Sequence, residues 1–490
     1  MNKRMILRIT GRILIMEAAL MLLPCAVGFI YHEQSAWAFV ISIALTLAAG
    51  LALALVKPVH RTFYAKEGFA IVALSWITMS IFGALPFYFS GEIPHFVDAF
   101  FETVSGFTTT GASILPAVEP LSKGILFWRS FTHWIGGMGV LVLMMVVLPA
   151  GSNSMHLLRA EMPGPIVEKL MPKFRDTAKI LYGIYFALTA IEVVLLLFGN
   201  MNLYDSLVHA FGTAGTGGFS VKNTSIAAYN SPYIEVVITI FMLLFGVNFG
   251  VYYLLLIKNF GRALRNSELR MYLGIVGVSI AIITVTILPL YNGFADALLH
   301  ASFQVSSIIT TTGYATADFN LWPQTARTVL MLLMLCGACA GSTGGGLKVG
   351  RLLVLWRALK RELHHMLHPN AVRVVQVDGK AVEEQTISGI SLFFFMYMLV
   401  AGGTLLLLTV DGFDLETNLT AMLACLNNIG PGLGMVGPMG NFSAFSDFSK
   451  LILSANMLLG RLELYPLVLL MMSAAHVRGH EKKQKEQTAI

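Results

Sequence analysis

Ten stretches of predominantly apolar residues run along the chain, separated by charged or Gly/Pro-rich breaks. Each is near the roughly 20 residues that a helix needs to cross the hydrocarbon core of a bilayer. They cover Ile6 to Tyr31, Trp37 to Val56, Phe69 to Phe89, Ile125 to Leu148, Ile180 to Phe198, Tyr233 to Ile257, Tyr272 to Leu290, Val329 to Leu355, Ile387 to Leu408 and Leu451 to Met472. The pattern predicts an all-α membrane protein with ten spans. Lys3, Arg4, Arg8 and Arg12 precede the first stretch in the manner of a signal peptide. No small-residue cleavage site follows Met21 to Pro24, so it reads as a retained membrane helix.

After the first two spans the chain repeats itself. Between the paired spans of each later unit lies a half-apolar segment too short to cross, followed by a Thr/Gly-rich stretch. The first copy runs from Asp98 to Thr109-Thr110-Gly111, the second from Asp205 through His209 to Thr216-Gly217-Gly218, and the third from Asp296 through His300 to Thr311-Thr312-Gly313. Asp98 and Asp205 each precede their glycine by 13 residues, whereas Asp296 precedes Gly313 by 17. The third copy therefore carries about one extra helical turn. The fourth copy starts near Asn418 and diverges most; Asn428-Ile429-Gly430 aligns with Thr109-Thr110-Gly111, with Gly432 and Gly434 as other registers. The chain divides into two N-terminal helices (1–57), pore units at 67–150, 177–260, 270–358 and 386–476, and a tail at 477–490.

Non-helical backbone at membrane depth is tolerated only where it lines a water-filled route or is buried in protein. Glycine permits the φ values that turn successive carbonyls toward one axis, and rings of carbonyls replace the hydration shell of a monovalent cation. Four such loops make a filter of approximate fourfold symmetry. A short helix beginning near each aspartate, its acidic first turn suited to the helix dipole, aims its negative end at the ion. Close helix packing through small residues is the competing explanation of any one loop, but not of four at matching places.

Composition and charge refine this picture. The chain is 56% hydrophobic and 12% charged, against about 25% charged in soluble domains, which excludes a soluble protein. Its 33 Lys and Arg against 27 Asp and Glu leave a net charge of +6. Only Lys123, Arg129, Lys222, Arg327 and Lys450 fall near alternate loops, and Arg461 lies within a span. The other basic residues mark the cytoplasmic side, with both termini there. The charge is thus a membrane-surface belt rather than a nucleic-acid face. Cys25, Cys336, Cys339 and Cys425 sit in apolar stretches and read as free thiols, not as a disulfide framework or zinc site. The 45 glycines are a modest excess over the usual share of about 7%.

At its Thr/Gly repeats the chain resembles the superfamily of potassium transporters that includes TrkH, KtrB, fungal Trk and plant HKT proteins, and most nearly the bacterial TrkH family. Further matching strings are Arg159-Ala-Glu-Met-Pro-Gly164, Ala340 to Lys348, His368-Pro-Asn-Ala371, Asn427 to Gly432 and Gly460-Arg-Leu-Glu463. The resemblance implies four helix–pore loop–helix units around one pore, two extra N-terminal helices, and a homodimer with one pore per subunit, in the bacterial inner membrane. It implies filter carbonyls from Thr109, Thr110 and Gly111; Thr216, Gly217 and Gly218; Thr311, Thr312 and Gly313; and Asn428, Ile429 and Gly430. Serine at the first filter glycine accompanies Na⁺ preference in some plant members, so Gly111 implies K⁺ as the transported ion; Gly217 departs from the Thr-Thr-Gly pattern.

Cys336 to Gly346 is too glycine-rich to remain a regular helix, at about 1 kcal/mol per glycine. It reads either as a kink between helices or, as the resemblance implies, as an intramembrane loop with Gly344, Gly345 and Gly346 in a gate. Arg461 is a costly intramembrane charge, and Glu463, two residues on, faces elsewhere on a helix. The resemblance makes Arg461 a pore-facing barrier, the alternative being an anchor on backbone carbonyls. His209 and His300 read as packing or capping residues. Basic loops at Arg159 to Lys179, Lys258 to Arg270 and Arg351 to Lys380 offer docking surfaces. Gly341 to Gly346 lacks the preceding strand of a nucleotide loop, so no organic cofactor is expected. The resemblance assigns nucleotide sensing to a TrkA-like cytoplasmic ring that binds NAD or ATP; the remaining expected partners are membrane lipids. An enzyme finds no support in the motifs. A symporter coupling K⁺ to H⁺ or Na⁺ is the alternative, with Glu102 and Glu192 as its intramembrane carboxylates.

Overall fold

The structure is a computed structural model describing residues 2–57, 65–139, 174–371 and 373–464. At the N-terminus α1 (Lys3–Leu20) and α2 (Leu22–Ile30) form one apolar span, and α3 (Ser35–Ala54) returns beside it. They cross at Gly11 and Gly50. A Cβ on Gly11 would stand 2.5 Å from the Ala54 nitrogen and 2.6 Å from the Gly50 carbonyl oxygen. Such backbone proximity supplies the packing that holds membrane helices together where lipid is as apolar as side chains.

Four units follow. Unit 1 comprises α4 (Ala65–Gly83), α5 (Leu85–Phe89), the pore helix α6 (Phe96–Phe107) and α7 (Lys123–Gly137). Unit 2 comprises α8 (Phe174–Phe198), the pore helix α9 (Leu203–Gly215), α10 (Pro232–Phe245) and α11 (Phe249–Leu256), and α12 (Phe260–Leu264) leads into unit 3. Unit 3 comprises α13 (Ser267–Ile287), the pore helix α14 (Phe294–Ile309), α15 (Gln324–Cys336) and α16 (Val349–Leu367). Unit 4 comprises α17 (Glu384–Leu408), the pore helix α18 (Leu415–Leu426) and α19 (Asp447–Arg461). The expected architecture of four helix–pore loop–helix units plus an N-terminal pair is the observed one.

Short polar side chains start these helices by accepting from orphan amides. Asn202 caps α9 through the Asp205 amide at 2.8 Å, Asp414 caps α18 through Thr417 at 3.0 Å, and Ser446 caps α19 through Ser449 at 3.3 Å. Between units 3 and 4 the strand pair Gln376–Val377 and Lys380–Ala381 turns at Asp378-Gly379, both with positive φ. The Asp378 carboxylate accepts from the Ser267 amide at 2.7 Å, capping α13.

Each pore helix packs against both long helices of its own unit, and each second helix also packs on a neighbouring pore helix: α7 on α9, α10 on α14, α15 on α18 and α19 on α6. The last contact returns to unit 1, so the four units close a ring.

The expectation of ten spans, with only the one in unit 3 broken, is corrected. Among the described residues six helices are long and apolar enough to cross a membrane, seven if the pair α10–α11, bent by 91°, is one span. The shortfall lies in the second helices: α7, α15 and α19 have 15, 13 and 15 residues. α7 and α19 stop where they meet the pore helices, and α15 stops at Gly337, against Gly345 and Gly346 of the loop that follows. A Cβ on Gly136 would overlap the Phe107 carbonyl oxygen, and one on Gly460 the Leu426 carbonyl oxygen. Hydropathy does not register these breaks because the flanking residues stay apolar. The parts of the predicted spans at 140–148 and 465–472, the Arg159 to Gly164 string and the 477–490 tail lie outside the described residues.

Gly50→Leu should destabilise the α1–α3 crossing by about 1–3 kcal/mol through overpacking. A thermal melt in detergent that matches the wild type would contradict the close contact.

Candidate functional site: a ring of four loops

Each pore helix runs into a loop with one backbone signature. Thr109, Thr216, Thr311 and Asn428 have φ of 56°, 57°, 59° and 55°, and two residues later Gly111, Gly218, Gly313 and Gly430 have φ of 79°, 74°, 84° and 98°. The residue between them donates its amide to the carbonyl five back: Thr110 to Ser105, Gly217 to Gly212, Thr312 to Ser307 and Ile429 to Ala424, at 2.8–2.9 Å. This tether fixes each turn while leaving the middle carbonyl unused by the helix. The signature also pairs Asn428 with Thr109 and Gly430 with Gly111, the first of the three registers open for the fourth loop. Left-handed φ in a non-glycine residue costs of order 1–3 kcal/mol and persists only where surroundings impose it.

The surroundings here are the other loops. A Cβ on Gly111 would overlap the Gly217 carbonyl oxygen, one on Gly218 that of Thr312, and one on Gly313 that of Ile429; one on Gly430 would lie 2.7 Å from the Thr110 carbonyl oxygen. Each glycine thus stands against the middle carbonyl of the next loop, and the fourth stands against the first. Thr109, Thr216, Thr311 and Asn428 are buried. Behind the loops Thr108 and Thr110 share a hydroxyl bond of 2.7 Å, as Thr310 and Thr312 do at 2.8 Å. Asn428 donates to Thr110 Oγ1 and to the Met457 carbonyl, both at 2.9 Å.

The departure at Gly217 has a steric cause in unit 1. His133 on α7 bonds the Gly106 carbonyl at 2.8 Å and lies 4.2 Å from the Phe219 ring. Its imidazole fills the space that a Cβ on Gly217 would take. Nothing local to the second repeat announces this, and sequence reading did not single out His133.

The acidic first turns are present, with Asp98, Asp205, Asp296 and Glu416 on the four pore helices. Asp98 pairs with Lys450 at 2.6 Å, and Asp205 accepts from Tyr229 at 2.7 Å. The extra turn of the third copy lies inside α14, 16 residues long against 12 in α6. His209 and His300 therefore match only when counted from the aspartates; counted from the glycines, His300 is one turn farther out. His209 bonds the Asp205 carbonyl and Ser220 Oγ at 2.8 and 2.9 Å, and His300 bonds Thr316 Oγ1 at 3.0 Å.

Residues 337–348 between α15 and α16 are not helical. The Gly345 amide donates to Thr311 Oγ1 at 2.7 Å, Thr343 Oγ1 donates to the Phe245 carbonyl at 3.2 Å, and the Cys339 amide to Gly246 at 3.1 Å. Gly344 lies against the Thr310 carbonyl, and a Cβ on Gly345 would overlap that of Asn427. Gly346 takes φ of 72° beside Gly337. Arg461, half-buried at the end of α19, donates to the Thr343 carbonyl and to the Gly137 carbonyl, each at 2.8 Å, and also to that of Gly136. Unit 4 thereby ties the loop of unit 3 to the broken helix of unit 1, while Thr343 reaches unit 2.

Other charges hold this junction that the sequence reading missed. Glu268 accepts from the Ala340 amide at 2.6 Å, Lys348 donates to the Gly344 carbonyl, and Arg351 pairs with Glu463. The turn after α19, with Glu463 at φ 54°, aims that carboxylate away from Arg461 and at Arg351. The available signal was the presence of Lys348 two residues after the glycines.

Two cavities flank the ring. One of about 110 Å³ is lined by Gly111, Gly218, Gly313 and Pro431. The other, of about 1340 Å³, is lined by Gly344, Gly345, Gly346, Lys348 and Arg461, and the two share no lining residue. Glu102 lies behind the first loop, paired with Arg129 at 2.6 Å, rather than in the ring. The described residues contain no group of three or more His, Cys, Asp or Glu placed to hold a metal ion. The ring itself presents backbone carbonyls, those of Thr110, Gly217, Thr312 and Ile429.

Residues 35–477 match the TrkH family, described as cation transport proteins. The chain is 39% identical to the Trk system potassium uptake protein TrkH of Escherichia coli K12 over 482 residues, 96% of this chain and 98% of that one. It is 34% identical to the Trk system potassium uptake protein TrkG of the same strain, covering 95% and 97% of the two chains. Its structure matches the crystal structure of the potassium transporter TrkH from Vibrio parahaemolyticus with a TM-score of 0.86 and 33% identity, over 96% and 98% of the chains.

Gly217→Ala should cost about 1–3 kcal/mol by overpacking against the imidazole. In a His133→Ala background the cost should fall by about 1 kcal/mol or more, a coupling expected of residues in contact. Additive melting shifts in the double-mutant cycle would remove His133 as the cause.

Proposed function

The chain belongs to the TrkH family of cation transport proteins, and on that premise we propose that it takes up K⁺ through the ring of four loops, in the manner of a channel. It is a multi-pass membrane transporter of the Trk potassium uptake family, whose named relatives are transporters rather than enzymes. The observation that carries the proposal is the closed ring, in which four loops of one conformation set each filter glycine against its neighbour's carbonyl. Carbonyls of Thr109, Thr110 and Gly111 and their counterparts in the other three loops replace the water of a dehydrated K⁺. The C-terminal ends of the four pore helices add negative potential at the same place.

The glycine loop and Arg461 are the gate in this reading. Support comes from their position: together they link all four units directly beside the ring and line the larger cavity. The positive guanidinium opposes a cation electrostatically, and its bonds to carbonyls make it an anchor as well as a barrier. Opening requires Thr343 and Gly344 to leave Arg461 and Lys348. We assign the larger cavity to the cytoplasmic face of a bacterial inner membrane, with both termini on that side, from the distribution of Lys and Arg. A TrkA-like ring that binds NAD or ATP would act there on α16 and the basic loops, and a homodimer is the proposed assembly. Both rest on the resemblance alone.

Two measurements test this. In proteoliposomes Gly111→Ser or Gly313→Ser should lower the K⁺:Na⁺ uptake ratio, and an unchanged ratio would remove the filter assignment. Arg461→Ala should raise K⁺ flux several-fold, since an intramembrane charge of a few kcal/mol leaves the route; unchanged flux would sink the gate. Uptake that collapses with a proton uncoupler or without Na⁺ would instead favour the coupled symporter.

A further inference from the structure

One position recurs behind all four filter loops: Glu102, His209, Gln304 and Ala421 each lie nine residues before the filter glycine. Its side chain braces the strand leaving the filter, but only in units 1 and 2. Glu102 accepts from Ser113 Oγ and from the Ile114 amide, both at 3.0 Å. His209 bonds Ser220 Oγ at 2.9 Å, and Ser220 stands two residues after Gly218 as Ser113 stands two after Gly111. The Gln304 amide makes no hydrogen bond among the described residues, and Ala421 is apolar.

Unit 1 adds a charge to the brace. Arg129 on α7 gives Nε to Glu102 at 2.6 Å and NH1 to the Ser220 carbonyl at 3.2 Å, and its guanidinium lies 3.5 Å from the Phe219 ring centre. Glu102 and Arg129 are only 1% and 4% exposed, so neither charge has water to fall back on. A continuous chain of bonds runs from Ile114 and Ser113 through Glu102 and Arg129 to Ser220 and His209. Tyr314, next to Gly313, extends it by donating to the His209 carbonyl at 3.0 Å. The pair therefore fastens the exit strands of loops 1 and 2 to each other from behind.

We propose that Glu102 and Arg129 are a positioning pair that sets the spacing of the carbonyls in loops 1 and 2, and through it the discrimination of K⁺ from Na⁺. This rests on the filter reading above. Removing one partner of a buried pair leaves the other charge uncompensated, and it recovers solvation by pulling its strand or admitting water. Either response moves filter carbonyls without blocking the route. The ion ratio is then lost before the flux.

The test uses the full-length protein in liposomes, with K⁺ and Na⁺ uptake measured separately and each variant checked by thermal unfolding. Glu102→Gln and Arg129→Gln should each lower the K⁺:Na⁺ ratio by about tenfold while K⁺ flux persists, the outcome of an uncompensated buried charge. Ratios at the wild-type value, or K⁺ and Na⁺ uptake falling in parallel, overturn the proposal. Should both variants fail to fold, Ser113→Ala keeps the ion pair and removes one strut; it should lower the ratio by roughly two- to threefold, the scale of one hydrogen bond, and an unchanged ratio overturns the proposal. Gly111→Ser separates the two readings. If it lowers the ratio and Glu102→Gln does not, the pair fails and the filter stands; if neither does, the filter fails as well.

Discussion

A backbone carbonyl at membrane depth must find a protein partner, an ion or the water of a cavity, since lipid offers it none. Four loops in this chain break their helices there, and most of the architecture follows from keeping those carbonyls aimed and covered. The left-handed residues at Thr109, Thr216, Thr311 and Asn428 would not hold in an isolated loop. They hold because each loop is wedged against the next and the fourth against the first. The second helices supply the cover, each lying on the pore helix of an adjacent unit. Close cover requires glycine where Gly136 and Gly460 pass the ends of the pore helices, and there those helices stop.

A ring made from one polypeptide need not be symmetric, and this one departs from symmetry at several places. His133 has no counterpart in the other three second helices and forces glycine into the second loop. The extra turn of α14 lengthens one pore helix. The long glycine loop belongs to unit 3 and the intramembrane arginine to unit 4, so their contact joins two different repeats and reaches a third at Gly137. Fourfold repetition gives a carbonyl ring, whereas a single glycine loop against one side of it requires that the repeats differ.

Charge is concentrated at that junction. Glu268, Lys348, Arg351 and Glu463 are buried or nearly so around the loop, with Arg461 half-buried among them. Three basic and two acidic side chains leave the cluster positive. Their attachments are to the loop itself: Glu268 to the Ala340 amide, Lys348 to the Gly344 carbonyl and Arg461 to the Thr343 carbonyl. Displacing the loop would therefore break charge-assisted bonds, which are stronger than neutral ones.

The membrane class, the four units and the loop strings were legible in the chain, because hydropathy and residue spacing are local properties and the repeats are consecutive in sequence. The glycine-rich break after Cys336 was legible too, but the breaks in the other second helices were not, since a helix of apolar residues that stops near Gly136 or bends at Gly246 has the same hydropathy as one that continues. Sequence spacing left three registers for the fourth loop, and the φ signature at Asn428 and Gly430 selects one. The reason for Gly217, the partner of Glu463, and the bond chain from Glu102 to Ser220 each join residues 84 to 118 positions apart or in different units. By itself the sequence determined which segments enter the membrane and which cannot remain helical there. Only the tertiary structure decided which carbonyls face which glycines and which charges meet, because those distances depend on how the ring closes.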